Sequence, residues 1–160
     1  MQKNSGLTAL ELAVTLAIMT VVAAMVMPPY LKWQRAARLR GAVSNILGDM
    51  ETAKIKAIRE NAFVVVQFMS GGYVVFVDNG AGANTGNWEH NADEQLVCSR
   101  ELPAGVSIDL TGMTLTDHRT RFNGRGIPPE ITGGKRTIPL RNAAGSKQIT
   151  INRLGHLHVQ

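Results

Sequence analysis

The chain has a single cysteine, Cys98, so it forms no internal disulfide, and the fold must rest on its core alone. No phosphate-cradling loop and no paired metal motif appears, and Cys98 has no evident histidine partner in the sequence. A small buried thiol is therefore its expected role, and no catalysis, cofactor or metal is expected. Charge is absent from Leu12 to Leu31, where Thr15 and Thr20 are the polar interruptions before Pro28. What is present is enough for a globular domain plus an extra segment: 160 residues, 44% of them hydrophobic, which excludes a disordered composition. The formal net charge of +5 permits acidic partners or nucleic acid without requiring them.

Leu7 to Met27 carries one charge, Glu11. As a helix this stretch spans about 32 Å, enough for a bilayer core. A secretory signal peptide would lead from a basic region directly into the apolar run, whereas here Lys3 is the one leader charge and an acid intervenes. Val22-Ala23-Ala24 still offers a rival cleavage site, which would release a secreted soluble β-domain protein. A carboxylate inside a membrane helix costs roughly 2.5–3.5 kcal/mol, so Glu11 needs either access to water at the interface or a partner. Lys32, Arg35, Arg38 and Arg40 follow the span, and the positive-inside rule alone would keep that side in the cytoplasm.

Gly6-Leu7-Thr8-Ala9-Leu10-Glu11 resembles the type III signal of type IV pilins and pseudopilins. In that family a prepilin peptidase cuts after the glycine and methylates the new first residue, and a glutamate stands fifth in the mature chain. The resemblance implies cleavage between Gly6 and Leu7, methylation of Leu7, and Glu11 as the assembly charge, pairing with the α-amine of a neighbouring subunit. Leu7 replaces the usual phenylalanine; Pro28 falls where pilins carry a proline, and Pro29 beside it is less usual. The resemblance also implies insertion against the charge bias, with the C-terminal part outside.

Beyond Pro28-Pro29, which should kink or briefly break the helix, Leu39, Val43, Ile46, Leu47, Met50, Ala53, Ala57 and Ile58 recur at three- and four-residue steps. They predict an amphipathic helix to about residue 61, with its apolar stripe against a C-terminal domain. Alternation then predicts strands at Ala62–Met69, with Val64, Val66 and Phe68 facing one way, and at Tyr73–Val77, joined by Ser70-Gly71-Gly72. Further short strands are expected at Gln95–Arg100, Val106–Leu110, Met113–Thr116 and Arg121–Phe122. Arg136–Leu140 should pair with Gln148–Ile151, and Leu154–Val159 should close the domain. The loop Asp78–Glu94 is rich in oxygen ligands but lacks the Asp-x-Asn-x-Asp-Gly core of a calcium loop, and is read as a plain flexible connection.

The stretches "GYVVFVDNG", "ELPAGVSI", "RFNGRG" and "ITINRLGHLHV", in that order, resemble the FimT/GspH-like minor pilins, as does the helix end at Ala53–Asn61. The resemblance implies an α+β fold in four parts: leader 1–6, transmembrane and assembly helix 7–29, amphipathic helix 30–61 and antiparallel β domain 62–160. It implies a structural subunit rather than an enzyme. Such a subunit is single-pass in the bacterial inner membrane with its C-terminal domain in the periplasm. It then enters a type IV pilus or a type II secretion pseudopilus, by resemblance in the initiating or tip complex. The implied partners are a prepilin peptidase, other pilin subunits and the inner-membrane assembly platform. Some members bind DNA through Gly-Arg-x-Arg near the C-terminus; here the residues are Gly155-His156-Leu157-His158. Imidazoles are mostly neutral at pH 7. With His156 and His158 expected on one side of a strand, Arg136, Arg141, Lys147 and Arg153 would have to supply most of the charge of a DNA patch. Two alternating histidines without a third ligand make a weak metal signal.

Overall fold

In the computed structural model, residues 8–80 and 86–160 are described. The expected cleavage residues Gly6 and Leu7 lie outside them. Helix α1 runs from Ala9 to Glu60 without a break at Pro28 or Pro29. The chain divides into two compact units at Gln34–Arg35.

In the first unit, α1 exposes apolar side chains all round, among them Leu12, Leu16, Ile18, Val22 and Val26. Such a helix is stable in lipid only if its polar groups are satisfied within it. The two threonine hydroxyls meet that condition: Thr15 donates to the Leu12 carbonyl at 2.8 Å, and Thr20 to the Ala17 carbonyl at 2.8 Å.

In the second unit, Leu39, Ala42, Val43, Ile46, Met50, Ala53 and Ala57 form the buried stripe of α1. Leu47 is only half-buried and Ile58 is 49% exposed, because each sits a step of about 100° round the helix from the stripe. The helix ends where Asn61 turns left-handed (φ 49°) and Ala62 N–H reaches back to the Ala57 carbonyl at 3.2 Å. This is a Schellman-type stop with asparagine in place of glycine.

Eight strands follow: β1 Phe63–Met69, β2 Gly72–Asp78, β3 Leu96–Glu101, β4 Ser107–Ile108, β5 Arg119–Phe122, β6 Lys135–Asn142, β7 Gly145–Asn152 and β8 Leu157–Val159. They form two antiparallel four-stranded sheets, ordered β3-β2-β1-β5 and β4-β6-β7-β8. The expected pairing of Arg136–Leu140 with Gln148–Ile151 is present within β6–β7. Three expected strands are shorter or missing. Met113–Thr116 is not a strand: Thr114 N–H reaches the Thr137 carbonyl at 3.1 Å, but Thr137 N–H returns to the Thr114 hydroxyl at 2.7 Å instead of its carbonyl. Val106–Leu110 shrinks to two residues. Asp109 donates to the Pro139 carbonyl, and on that same side Pro139 has no N–H to give back. Leu154 belongs to a turn in which the Asn152 side-chain oxygen accepts from Leu154 N–H and His156 N–H at 2.9 and 3.0 Å.

The inner faces of the sheets share one core with α1. A polar lock ties the helix to the first sheet. Asp49 accepts from the Tyr73 hydroxyl at 2.6 Å and from Arg100 Nε at 2.8 Å, beside the half-buried Cys98 thiol. Burial pushes the Asp49 carboxyl up, but these hydrogen bonds and the guanidinium charge outweigh it and hold the group below 3.8. Burial and the same carboxylate push the Tyr73 phenol and the Cys98 thiol up. A depressed carboxyl contributes stability that is full above its unfolded value and is lost as pH falls through the folded one. Asp49→Asn should therefore cost about 1.5–3 kcal/mol at pH 7, and the penalty should shrink as pH drops below 3.8. Urea unfolding of the detergent-held chain at several pH values checks this.

The outer face of the first sheet is also covered, which alternation does not foretell. Val65 and Phe76 are cross-strand partners, and both are fully buried on that face. Residues 86–94 lie against this face and are stitched down by the carboxylates Asp78 and Glu94. Asp78 accepts from Gly86 N–H (2.7 Å) and Trp88 N–H (3.1 Å), and Glu94 from Asn91 N–H (2.9 Å). The described part of this loop is thus pinned rather than a plain flexible connection. His90 packs edge-on against Phe76, and Arg121 is held between the Phe63 and Trp88 rings at 4.1 and 4.0 Å.

Candidate functional site

Thr8 and Glu11 close the start of α1 upon each other. Thr8 N–H and the Thr8 hydroxyl donate to Glu11 Oε2 at 3.2 and 3.1 Å, and Glu11 N–H donates to the Thr8 hydroxyl at 3.3 Å. This is a capping box, with threonine at the N-cap and glutamate three residues on. Its signal, Thr-x-x-Glu, stood in the sequence and was not read; Thr8 is the residue the sequence reasoning missed. The carboxylate also lies at the positive end of the helix dipole, a favourable place for negative charge. Both bonds fall on Oε2. A carboxylate has about four lone-pair sites, so the box uses part of its acceptor capacity and leaves room for a further partner that carries positive charge.

The six residues considered for nucleic acid do not share one surface. Arg136 pairs with Ile151, and Lys147 with Leu140, so both lie on the core-facing side of the second sheet. Arg141 pairs with Ser146 on the opposite side and sits 3.6 Å from the Asp109 carboxylate. His158 pairs with Thr150, also on that opposite side. Arg153 and His156 are exposed in the turn between β7 and β8. A phosphate track needs cations in a row on one face. Here they are split between two faces and a turn, and one is engaged by an acid. Among the described residues no three His, Cys, Asp or Glu side chains cluster as metal ligands.

The sequence profile of the family described as "Type II transport protein GspH" matches residues 42–155. The chain belongs to the GspH family. This GspH-family chain is also 30% identical, over 97% of its own length and 97% of the relative's, to "Pilin-like protein PilA1" of Thermus thermophilus. Its fold is that of the type IV minor pilin FimU of Pseudomonas aeruginosa. Two crystal forms of FimU align with TM-scores of 0.57 and 0.59 at 12% and 13% identity, covering 76% and 78% of this chain and 92% and 90% of theirs. The family is one of structural pilin and pseudopilin subunits, not enzymes. The expected long helix on an antiparallel β domain is the pilin fold. Helix α1 begins with a segment long and apolar enough to cross a membrane.

Proposed function

We propose that this chain is a minor pilin or pseudopilin, cut by a prepilin peptidase between Gly6 and Leu7 and methylated on Leu7. It waits in the inner membrane with residues from about 30 onward in the periplasm, and an inner-membrane assembly platform moves it into the initiating or tip end of a filament. The observation that carries this reading is Glu11, the one charge before Lys32 in α1, capped at the helix start by Thr8. In the monomer the capping box and the dipole offset part of the cost of a carboxylate in lipid. In the filament the α-amine of a neighbouring Leu7 would take the remaining acceptor sites, fixing the register of one helix against the next.

Shearing cells and separating surface filaments from envelopes tests the placement. A pilus subunit is expected in the sheared fraction at low copy number, and its deletion should remove pili while leaving the secreted proteins unchanged. A pseudopilus subunit should give the reverse, and loss of neither would contradict both. DNA binding by the full chain should be weak and steeply salt-dependent, because the cations are dispersed. His156→Arg with His158→Arg should strengthen it at neutral pH, as a duplex titration at fixed salt would show. Tight binding by the unaltered chain would restore a DNA receptor as the better reading.

A further inference from the structure

Arg100, Arg119, Arg121 and Arg141 each stand against an aspartate. Arg35 and Arg38 do not: neither has a carboxylate partner among the described residues. Both are exposed, and both line a hollow of about 230 Å³ within the second unit, with Ala104, Gly105, Asn142 and Ala143.

Two tight turns make the other walls. In the first, Val106 N–H donates to the Pro103 carbonyl at 3.0 Å, and Gly105 sits at φ 82°, where glycine is favoured. A Cβ on Gly105 would meet nothing within 4 Å, so the space before it is open. The second turn joins β6 to β7. Asn142 Nδ2 donates to the Arg35 carbonyl at 2.7 Å, and its side-chain oxygen accepts from Ala144 N–H at 2.8 Å. Asn142 is therefore spent in fixing the hairpin tip to α1. The guanidinium groups are not. Arg38 makes one long contact, 3.5 Å to the Ala104 carbonyl, and most donors of both arginines remain unused. Two guanidinium forks beside an open space suit the oxygens of a phosphate. The lining holds no carboxylate to receive an ammonium group, so the head group that fits carries net negative charge.

The place of these residues in the chain points to the source of the phosphate. The uncharged stretch Leu12 to Leu31 spans about 30 Å as a helix, the thickness of a hydrocarbon core. Tyr30 and Trp33 at its end are exposed, with ring centroids 6.1 Å apart, and such aromatic residues lie at head-group level. Arg35 and Arg38 follow directly. We propose that the hollow binds the phosphate of an anionic phospholipid from the membrane that holds the chain, with Arg35 and Arg38 donating to its oxygens. This rests on the reading that residues before about 30 lie in the bilayer. It also offsets the charge bias against insertion, because cations that follow the span gain a partner there.

The test uses the full chain extracted in an uncharged maltoside detergent. It is titrated with dioleoylphosphatidylglycerol, dioleoylphosphatidylcholine or glycerol 3-phosphate, and the bound molecules are counted by native mass spectrometry. Saturable binding of a single phosphatidylglycerol is expected, tighter than that of phosphatidylcholine or of glycerol phosphate. Arg35→Gln with Arg38→Gln should weaken it by about tenfold or more. Lys32→Gln with Arg40→Gln removes the same charge outside the hollow and should change it only slightly. Equal losses in the two double variants, or no loss in the first, would overturn the site. Equal affinity for phosphatidylcholine would overturn the preference for an anionic head group, and glycerol phosphate binding as tightly as the lipid would overturn the membrane as its source. The same spectra give the mass of the chain. A chain lacking its apolar segment would overturn the membrane reading, whereas an intact chain that binds no phosphatidylglycerol would overturn the lipid site alone.

Discussion

Glu11→Ala keeps the chain in the membrane and removes it from filaments. Loss of the carboxylate makes insertion easier by up to roughly 2.5–3.5 kcal/mol. Loss of the capping box costs the helix start only about 0.5–2 kcal/mol, and the Thr8 hydroxyl can still accept from the N–H of residue 11, as it now does at 3.3 Å. Membrane retention should therefore be complete. Assembly should fail because nothing remains to pair with the neighbouring amine. Glu11→Gln separates the two roles of the residue: it retains a side-chain oxygen that can accept from Thr8 but carries no charge. Fractionation of both variants into envelope and sheared filaments is expected to leave both in the envelope. Filaments containing the Gln variant at normal levels would mean that the cap, not the charge, is what assembly requires.

Gly155→Ala unfolds the domain at a temperature about 6 °C or more below the parent chain. Gly155 has φ 73°, where an L side chain costs roughly 1–2 kcal/mol. A Cβ there would lie 2.5 Å from the Gly126 carbonyl oxygen and 3.3 Å from Pro128 Cδ. The oxygen belongs to backbone and cannot swing away, so overpacking adds about 1–3 kcal/mol. The neighbourhood has no slack. Gly126 itself packs against Ile58 and Lys54 of α1, and Lys54 Nζ donates to the Gly155 carbonyl at 3.1 Å. At about 3–6 °C per kcal/mol for a domain of this size, the combined strain gives the stated shift, readable by circular dichroism on heating. An unchanged midpoint would show that the β7–β8 turn moves freely away from the residue 123–128 loop.

The helix stripe, the β1–β2 and β6–β7 hairpins and the solitary Glu11 were legible because each rests on local periodicity or on one charge in an apolar run. The double covering of the first sheet was not. The alternation of Val64, Val66 and Phe68 marks one inner side, and Val65 between them gives no sign that the other side is covered too, because the cover comes from Trp88 and His90 in a loop far along the chain. The dispersal of the basic residues could have been read. Arg136 and Arg141 are an odd number of positions apart on one strand, and a period of two places them on opposite faces. Thr8-x-x-Glu11 has two physical meanings at once; the resemblance points to the docking charge, and the capping box shows only in the hydrogen bonds at the helix start.

The docking role of Glu11 requires it to stand fifth from a processed amine. Intact mass of the membrane-extracted protein tests this directly. The expected chain begins at Leu7 and carries one added methyl group; a chain beginning at Met25, or one retaining residues 1–6, would contradict it.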